Sequence, residues 1–142
     1  MASKPVKAGS TSRSALKVAV VEDAENIRQR LVQLVTDIGT MRVVGEAATE
    51  ENAIAVCRQQ LPEALILDMQ LADGSGLGVL KAMDYAAQPS RPAVIVLTNF
   101  PSPAVERAAR DLGAEWFLDK SSEFYKLPQL LQLVADRRPQ PI

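Results

Sequence analysis

Residues 65–80 read LILDMQLADGSGLGVL, and the pattern within this stretch decides the fold. The stretch begins in a run of four apolar residues, 64–67, which is typical of a short strand buried on both faces and which ends at Asp68. An Asp-Gly pair then indicates a turn. Ser75 is a preferred helix N-cap residue, and leucines follow it at helical spacing. The stretch therefore predicts a buried strand, a turn and a helix, which together form the unit of an alternating α/β fold.

The same unit recurs on both sides of this stretch. Further apolar runs predict strands at residues 18–21, 41–46, 94–97 and 116–118. Apolar residues at helical spacing predict helices at about residues 24–37, 54–61, 103–112 and 127–134. Five strands that alternate with five helices imply a parallel sheet covered on both faces, and right-handed crossovers narrow the topology to a doubly wound α/β fold.

The length of 142 residues fits one domain with a sizeable core. Residues 1–15 are rich in Ser, Lys and Gly, so we expect them to form a flexible arm. We expect residues 16–137 to form the folded domain and residues 138–142 to form a frayed tail. The single cysteine, Cys57, excludes an intrachain disulfide. The absence of histidine excludes His-ligated metal sites and Ser-His-Asp hydrolysis.

Charge and hydropathy narrow the expected partners and location. With 16 basic and 17 acidic residues the net charge is −1, which gives the whole chain no attraction to nucleic acid or to an anionic membrane. No apolar run approaches the length of a membrane span, and the N-terminus lacks the apolar stretch of a secretory signal. We therefore expect a cytoplasmic protein with no nucleic-acid partner and no membrane insertion.

Polar residues suited to phosphate or Mg²⁺ chemistry end four of the five predicted strands. They are the pair Glu22-Asp23 and the single residues Asp68, Thr98 and Lys120. In open α/β sheets, ligands bind beyond the carboxyl ends of the strands, so these side chains are expected to meet at one edge. Taken singly, Asp23 has a plainer explanation as a helix cap and Lys120 as a solvated surface lysine.

Together these residues are suited to accept a phosphoryl group. Asp68 is the candidate nucleophile and would form an aspartyl phosphate. Glu22 and Asp23, with Asp68, offer the carboxylate oxygens that Mg²⁺ prefers. Lys120 offers a compact positive charge to phosphoryl oxygens, and Thr98 can donate its hydroxyl to the new phosphoryl group.

The spaced motifs resemble those of the response-regulator receiver family, whose fold is also called CheY-like. The matching segments are VVEDAENIR (20–28), LILDMQLADGSGLGVL (65–80), VIVLTNF (94–100) and GAEWFLDKS (113–121). The resemblance covers about residues 16–136 and implies the flavodoxin-like (βα)₅ fold with strand order 2-1-3-4-5.

The resemblance also assigns roles to individual residues. It implies that Asp68 is the phosphoacceptor, that Lys120 and Thr98 contact the phosphoryl group, and that Mg²⁺ is held by Glu22, Asp23, Asp68 and the backbone carbonyl of Gln70. Thr98 and Phe117 are then the switch residues, and Trp116 is an interface candidate because neighbours on a strand face opposite ways. Ser121 departs from the pattern, because many relatives have proline after the lysine; no cis peptide is expected there.

The function that the resemblance implies is that of a stand-alone receiver in a two-component or phosphorelay system, and not that of a conventional enzyme. Asp68 would accept phosphate from a histidine kinase or a histidine phosphotransfer protein. The signal would pass to a downstream protein target, to a second copy in a homodimer, or onward with the phosphate.

Three other functions compete with this interpretation. An aspartyl-phosphate phosphohydrolase would have a second carboxylate where Gln70 stands. A receiver fragment of a DNA-binding transcription regulator would need further sequence, and a non-phosphorylated scaffold would not need the retained carboxylates and lysine. The segment GSGLG (74–78) is similar to a dinucleotide-binding loop, but it lacks the third glycine and follows the third strand.

Overall fold

The structure, a computed structural model, describes residues 14–139. Most of the predicted arm and tail, residues 1–13 and 140–142, lies outside the described residues. The predicted domain boundaries therefore stay predictions.

Five strands alternate with five α-helices, as the sequence predicts. The strands are β1 (Leu16–Val21), β2 (Met41–Ala47), β3 (Ala64–Leu67), β4 (Ala93–Thr98) and β5 (Ala114–Asp119). The helices are α1 (Glu25–Asp37), α2 (Glu50–Gln60), α3 (Gly76–Met83), α4 (Pro103–Asp111) and α5 (Leu127–Asp136). A short 3₁₀ turn, Phe124–Lys126, leads into α5.

Strands β1 and β5 begin two residues before their predicted apolar runs. Lys17 and Glu115 interrupt the apolar pattern there, yet both strands already pair with their neighbours at Leu16 and Ala114. The sequence pattern marks where a strand is buried on both faces, whereas the ladder continues through residues that are not.

The five strands form one parallel sheet in the order β2-β1-β3-β4-β5, which confirms the predicted doubly wound topology. Strands β1 and β3 lie side by side with Val21 opposite Leu67, and β4 and β5 pair with Thr98 opposite Asp119. The residues that follow these strands therefore collect at one edge.

The sheet carries a separate apolar layer on each face because successive side chains of a strand point to opposite sides. Val18 and Val20 of β1 pack into the layer that α1 and α5 cover, while Ala19 and Val21 pack under α2, α3 and α4. All four side chains are at most 1% exposed. Such near-complete burial explains why β1, β3 and β4 are continuous apolar runs and not alternating ones.

The helix starts confirm the predicted cap of α3 and correct one alternative. The Ser75 hydroxyl accepts the Gly78 N–H at 3.0 Å and caps α3, and Pro128 lies in the first turn of α5, where no hydrogen bond is lost. The N-cap position of α1 is Ala24, which has no side-chain cap. Asp23 therefore does not serve as the helix cap.

The longest helix, α1, has 13 residues. Among residues 14–139, no helix is long and apolar enough to cross a membrane.

Candidate functional site

The strand ends bring the predicted polar residues to one edge of the sheet. Asp68 directly follows β3, and its N–H donates to the Val21 carbonyl of β1 at 3.0 Å, which seats it beside Glu22. On the other side, the Lys120 N–H donates to the Thr98 carbonyl at 2.8 Å. Four segments that are far apart in sequence are thus fixed to one another by backbone hydrogen bonds before any side chain is considered.

Three carboxylates meet at this edge. One oxygen from each of Glu22, Asp23 and Asp68 lies within 4.8 Å of the others. Glu22 and Asp68 are only 1% and 5% exposed, whereas Asp23 is exposed. A set of hard oxygen donors that is open to solvent on one side suits a cation such as Mg²⁺, which keeps several waters.

The Lys120 ammonium group faces two of these carboxylates. Its Nζ lies 2.6 Å from Glu22 Oε1 and 3.0 Å from Asp68 Oδ2, and its side chain is 9% exposed. Burial on its own lowers the pKa of Lys120, but the hydrogen bonds to Glu22 and Asp68 outweigh burial, and the pKa is raised. Lys120 therefore stays charged and is not a solvated surface lysine.

Glu22 is the most confined of the acidic residues. Its Oε2 accepts the Ala24 N–H at 3.0 Å, and its backbone carbonyl accepts a hydrogen bond from Arg28 at 2.9 Å. Burial raises the pKa of the Glu22 carboxyl, although the hydrogen bond from Lys120 opposes this effect. Both carboxylate oxygens of Glu22 are therefore bonded, one by the Lys120 ammonium group and the other by the Ala24 N–H.

The remaining predicted positions fall around this cluster. The Gln70 N–H donates to Asp68 Oδ1 at 3.1 Å, which holds the carboxylate against its own loop. Thr98 is 1% exposed, and its hydroxyl oxygen accepts the Phe100 N–H at 3.4 Å. The hydroxyl proton of Thr98 is thereby left free for another acceptor.

Trp116 and Phe117 point to opposite faces of β5, as predicted. Trp116 packs on the layer under α1 and α5, Phe117 packs on the layer under α4, and both are half-buried. The Arg137 guanidinium lies 5.2 Å from the centre of the Trp116 ring and pairs with Glu115. Trp116 thus has an intramolecular partner on its outer side.

The loop after Lys120 has no proline, and all peptide bonds of residues 14–139 are trans. Hydrogen bonds hold the loop instead. Asp119 Oδ1 accepts both the Ser121 N–H at 2.9 Å and the Ser121 hydroxyl at 2.7 Å. Sequence reasoning had found no role for Asp119; its signal was an Asp two residues before a Ser, a common turn pattern.

Two of the three glycines in the GSGLG segment make room for Glu50, a residue that sequence reasoning also missed. Glu50 Oε1 accepts the Ser75 N–H at 2.9 Å. A Cβ atom at Gly74 would lie 2.4 Å from the Glu50 Cβ, and one at Gly78 would lie 2.2 Å from Oε1. These two glycines therefore make room for a side chain of α2 and not for a nucleotide phosphate.

Gly76 serves the site itself. A Cβ atom there would lie 2.4 Å from the Asp68 carbonyl oxygen, closer than any real contact of that kind. The Gly76 N–H also donates to the Met69 carbonyl at 3.0 Å, which closes the loop after β3. The close approach of α3 to the backbone of Asp68 depends on this glycine.

Comparisons with known proteins show which family the chain resembles. The family model of the response regulator receiver domain matches residues 18–132. The response regulator GacA of Pseudomonas aeruginosa is 24% identical over 119 residues, which are 84% of this chain and 55% of GacA. The chain thus spans about half the length of that relative.

Solved structures show the same fold. The chemotaxis protein CheY4 of Vibrio cholerae superposes with a TM-score of 0.74 and 26% identity, over 85% of this chain and 99% of that one. The response regulator domain of Thermotoga maritima CheB gives a TM-score of 0.73 and 24% identity, over 86% of this chain and 95% of that one. At 24% identity, the second likeness concerns the fold alone.

Proposed function

Because this chain belongs to the response regulator receiver domain family of two-component signalling, we propose that it accepts a phosphoryl group on Asp68 and changes its partner contacts in response. The observation that carries the proposal is the contact of a nearly buried Asp68 with the Lys120 ammonium group at 3.0 Å. The aspartate can supply a nucleophilic oxygen, and the lysine can stabilise charge on the phosphoryl oxygens.

The proposed phosphodonor is a phosphohistidine on a histidine kinase or on a phosphotransfer protein. An oxygen of the Asp68 carboxylate attacks the phosphorus atom, and the P–N bond breaks. The histidine ring leaves with the bonding electron pair as neutral imidazole, because its other nitrogen carries a proton. The product is an acyl phosphate on Asp68, so the receiver needs no general base of its own.

Mg²⁺ fits the carboxylate cluster and would be held by Glu22, Asp23, Asp68 and the backbone carbonyl of Gln70. When bound, the ion would neutralise part of the negative charge that gathers around the transferring phosphoryl group. The side chains present explain the need for it, because three carboxylates face one ammonium group and an incoming phosphoryl group adds further negative charge.

The proposed response uses Thr98 and the side chains beyond it. Thr98 is buried beside the site, and its free hydroxyl proton can be donated to a phosphoryl oxygen. A shift of Thr98 would open or close space for Phe117 on the neighbouring strand, which would alter the surface of α4, β5 and α5. A downstream protein or a second copy of the chain is the proposed reader of this surface.

Trp116 is the proposed anchor of that surface. Arg137, which covers the indole ring, is exposed, so a binding protein can displace its guanidinium group and contact the ring instead. We expect Trp116→Ala to lower phosphorylation-dependent self-association or target binding and to leave phosphorylation unchanged. Sedimentation with and without acetyl phosphate measures this, and a variant that associates like the wild type would exclude Trp116 as the anchor.

The competing interpretations have less support. A phosphohydrolase would need a second carboxylate two residues after Asp68, and Gln70 occupies that position. A pure scaffold would not need a buried lysine between two carboxylates. DNA binding is not proposed for residues 18–132, which match the receiver alone. The cytoplasmic location expected from the sequence remains a prediction.

The test is phosphorylation by a small-molecule donor. The protein is incubated with acetyl phosphate and Mg²⁺, and its intact mass is followed over time. We expect a gain of one phosphoryl group that is lost in Asp68→Asn and when the metal is chelated. The matched control is Asp73→Asn, an exposed aspartate of the same loop, which should label normally. Undiminished labelling of Asp68→Asn would refute the assignment.

A further inference from the structure

Lys120 is flanked by two acidic residues, Asp119 and Glu123, that turn away from the carboxylate cluster. Neither of them forms an ion pair with Lys120 among the ion pairs of residues 14–139. Both bind the backbone of their own turn instead. Their role is therefore distinct from that of Glu22 and Asp68.

Glu123 is bonded to Asp119 through both its carboxylate and its backbone N–H. Glu123 Oε1 accepts the Asp119 N–H at 2.9 Å, and the Asp119 carbonyl accepts the Glu123 N–H at 2.8 Å. Asp119 Oδ1 also accepts the N–H and the hydroxyl of Ser121. The Glu123 carboxylate closes the turn as the Glu of a capping box does, the Asp119 carboxylate bonds within the turn, and Lys120 lies between the two residues.

Further contacts keep both carboxylates ionised. Hydrogen bonds from the Ser121 hydroxyl and N–H hold the pKa of Asp119 below its usual range. The Lys126 ammonium, 2.8 Å from Glu123 Oε2, lowers the pKa of Glu123. At neutral pH both residues are thus full acceptors for the turn.

The closed turn leaves the Lys120 side chain with a fixed starting point. The Lys120 N–H is bonded to the Thr98 carbonyl, and the backbone on both sides of it is held by Asp119 and Glu123. A lysine stem has several rotatable bonds and loses side-chain entropy when it is ordered. A fixed backbone removes the additional freedom of the main chain and helps to hold the ammonium group between Glu22 and Asp68.

We propose that Asp119 and Glu123 are positioning residues that fix the turn carrying Lys120 and thereby set how well its ammonium group meets the phosphoryl group on Asp68. This inference rests on the proposed function. It predicts that loss of either carboxylate leaves the metal ligands intact and weakens phosphoryl transfer, because misplacing a reacting group by about 1 Å can cost roughly 10²-fold in rate.

Two measurements on the full chain test the inference. The first is the rate of phosphorylation by acetyl phosphate, which we expect to fall about 10-fold in Asp119→Ala and in Glu123→Ala, short of the full misplacement penalty. The double variant should fall no further than the slower single one, because both side chains close the same turn. Asp119→Asn keeps an acceptor oxygen and should restore most of the rate.

The second measurement follows Lys120 without any phosphate. Competitive acetylation of lysines, mapped by mass spectrometry, should show Lys120 protected in the wild type and several-fold more reactive in both alanine variants. Lys81, which is exposed on α3, reports the unprotected rate. Mg²⁺ affinity should stay equal or rise, because a loosened lysine competes less for Glu22. A merely structural role would lower the thermal midpoint and leave the native-state reactivity of Lys120 unchanged.

The outcomes separate this inference from the proposed function. Asp37→Ala, which removes an exposed aspartate at the far end of α1, should match the wild type in both measurements. Wild-type phosphorylation rates in Asp119→Ala and Glu123→Ala, or unchanged protection of Lys120 in both, would overturn the positioning role while the phosphoacceptor role stands. Failure of the wild type to take up phosphate would instead refute the proposed function.

Discussion

Replacing Lys120 by methionine should reveal how far the metal-free site depends on its own counter-charge. The lysine lies 2.6 Å from Glu22 and 3.0 Å from Asp68, whose side chains are 2% and 6% exposed. Methionine keeps most of the volume, so the main change is the loss of the positive charge. Two nearly buried carboxylates, those of Glu22 and Asp68, would then lie close together with no positive charge between them.

The expected loss of stability depends on whether the two carboxylates can take up a proton once the lysine is gone. Removing one partner of a buried ion pair costs about 3–5 kcal/mol in other proteins. We expect about 3 kcal/mol at pH 7, the lower end, because Glu22 can take up a proton in place of the lysine. For a domain of this size that loss corresponds to a thermal midpoint lowered by about 10 °C.

Protonation of Glu22 and binding of Mg²⁺ should each restore part of the stability that Lys120→Met loses. The pKa of the Glu22 carboxyl is raised by burial in the wild type, and loss of Lys120 removes an interaction that opposes the rise. A carboxyl with a raised pKa stabilises the fold below its unfolded pKa and loses that contribution as the pH rises. The deficit of Lys120→Met should therefore be smaller at pH 5 than at pH 7.

Thermal unfolding by circular dichroism, with and without Mg²⁺, measures these effects. Mg²⁺ at about 100 times its Kd adds about 2.7 kcal/mol, and the variant should gain more than the wild type because no lysine competes for Glu22 and Asp68. Lys81→Met, at an exposed position, is the control and should change stability by at most about 0.5 kcal/mol. A loss below about 1 kcal/mol in Lys120→Met, or weaker Mg²⁺ binding, would refute this account of the site.

Two further predictions concern the metal and the loop after β3. Asp23→Ala should weaken Mg²⁺ binding more than Glu22→Ala, because Asp23 is exposed at the proposed metal site whereas Glu22 is already bonded to a lysine and a backbone N–H. Calorimetric titration of both variants measures the losses in affinity. Equal or reversed losses would contradict the prediction. Gly76→Ala should cost about 1–3 kcal/mol in urea unfolding and slow phosphorylation, because its Cβ meets the Asp68 carbonyl. Gly78→Ala is the matched control, since the atoms nearest its Cβ belong to the Glu50 carboxylate, the movable end of a side chain. Equal effects of the two substitutions would exclude the contact with the Asp68 backbone as the cause.

The part of the site that could be predicted from the sequence is the part that parallel topology dictates. Glu22 and Lys120 are separated by 98 positions, yet their meeting follows once each is placed after a buried strand, because parallel strands end at the same edge. The same reasoning places Asp68 between them. Side-chain partners were not needed for this step, only the apolar runs and the residues that end them.

The residues that sequence reasoning missed act through contacts between a side chain and the backbone of another segment. Glu50, Asp119 and Glu123 are acidic residues at a helix start, a strand end and a loop, positions where acidic residues are usually exposed. Glu50 reaches the N–H of Ser75, 25 residues away, and this distance has no signature in a local window. For Asp119 and Glu123 the spacing was visible, but the spacing of four also fits any surface turn.

Before phosphorylation, Lys120 and Thr98 already have hydrogen-bond partners, and a phosphoryl group on Asp68 would have to compete with these partners. Lys120 binds Glu22 more closely than Asp68, and the hydroxyl oxygen of Thr98 is held by the N–H of Phe100. A phosphoryl group on Asp68 would offer Lys120 new oxygens and would give the Thr98 hydroxyl proton an acceptor. In the proposed mechanism the signal is then a change of partners at two buried side chains, driven by the negative charge that the phosphoryl group adds. The Lys120 N–H donates to the Thr98 carbonyl at 2.8 Å, so we expect a change at either residue to reach β5, the strand that carries Phe117.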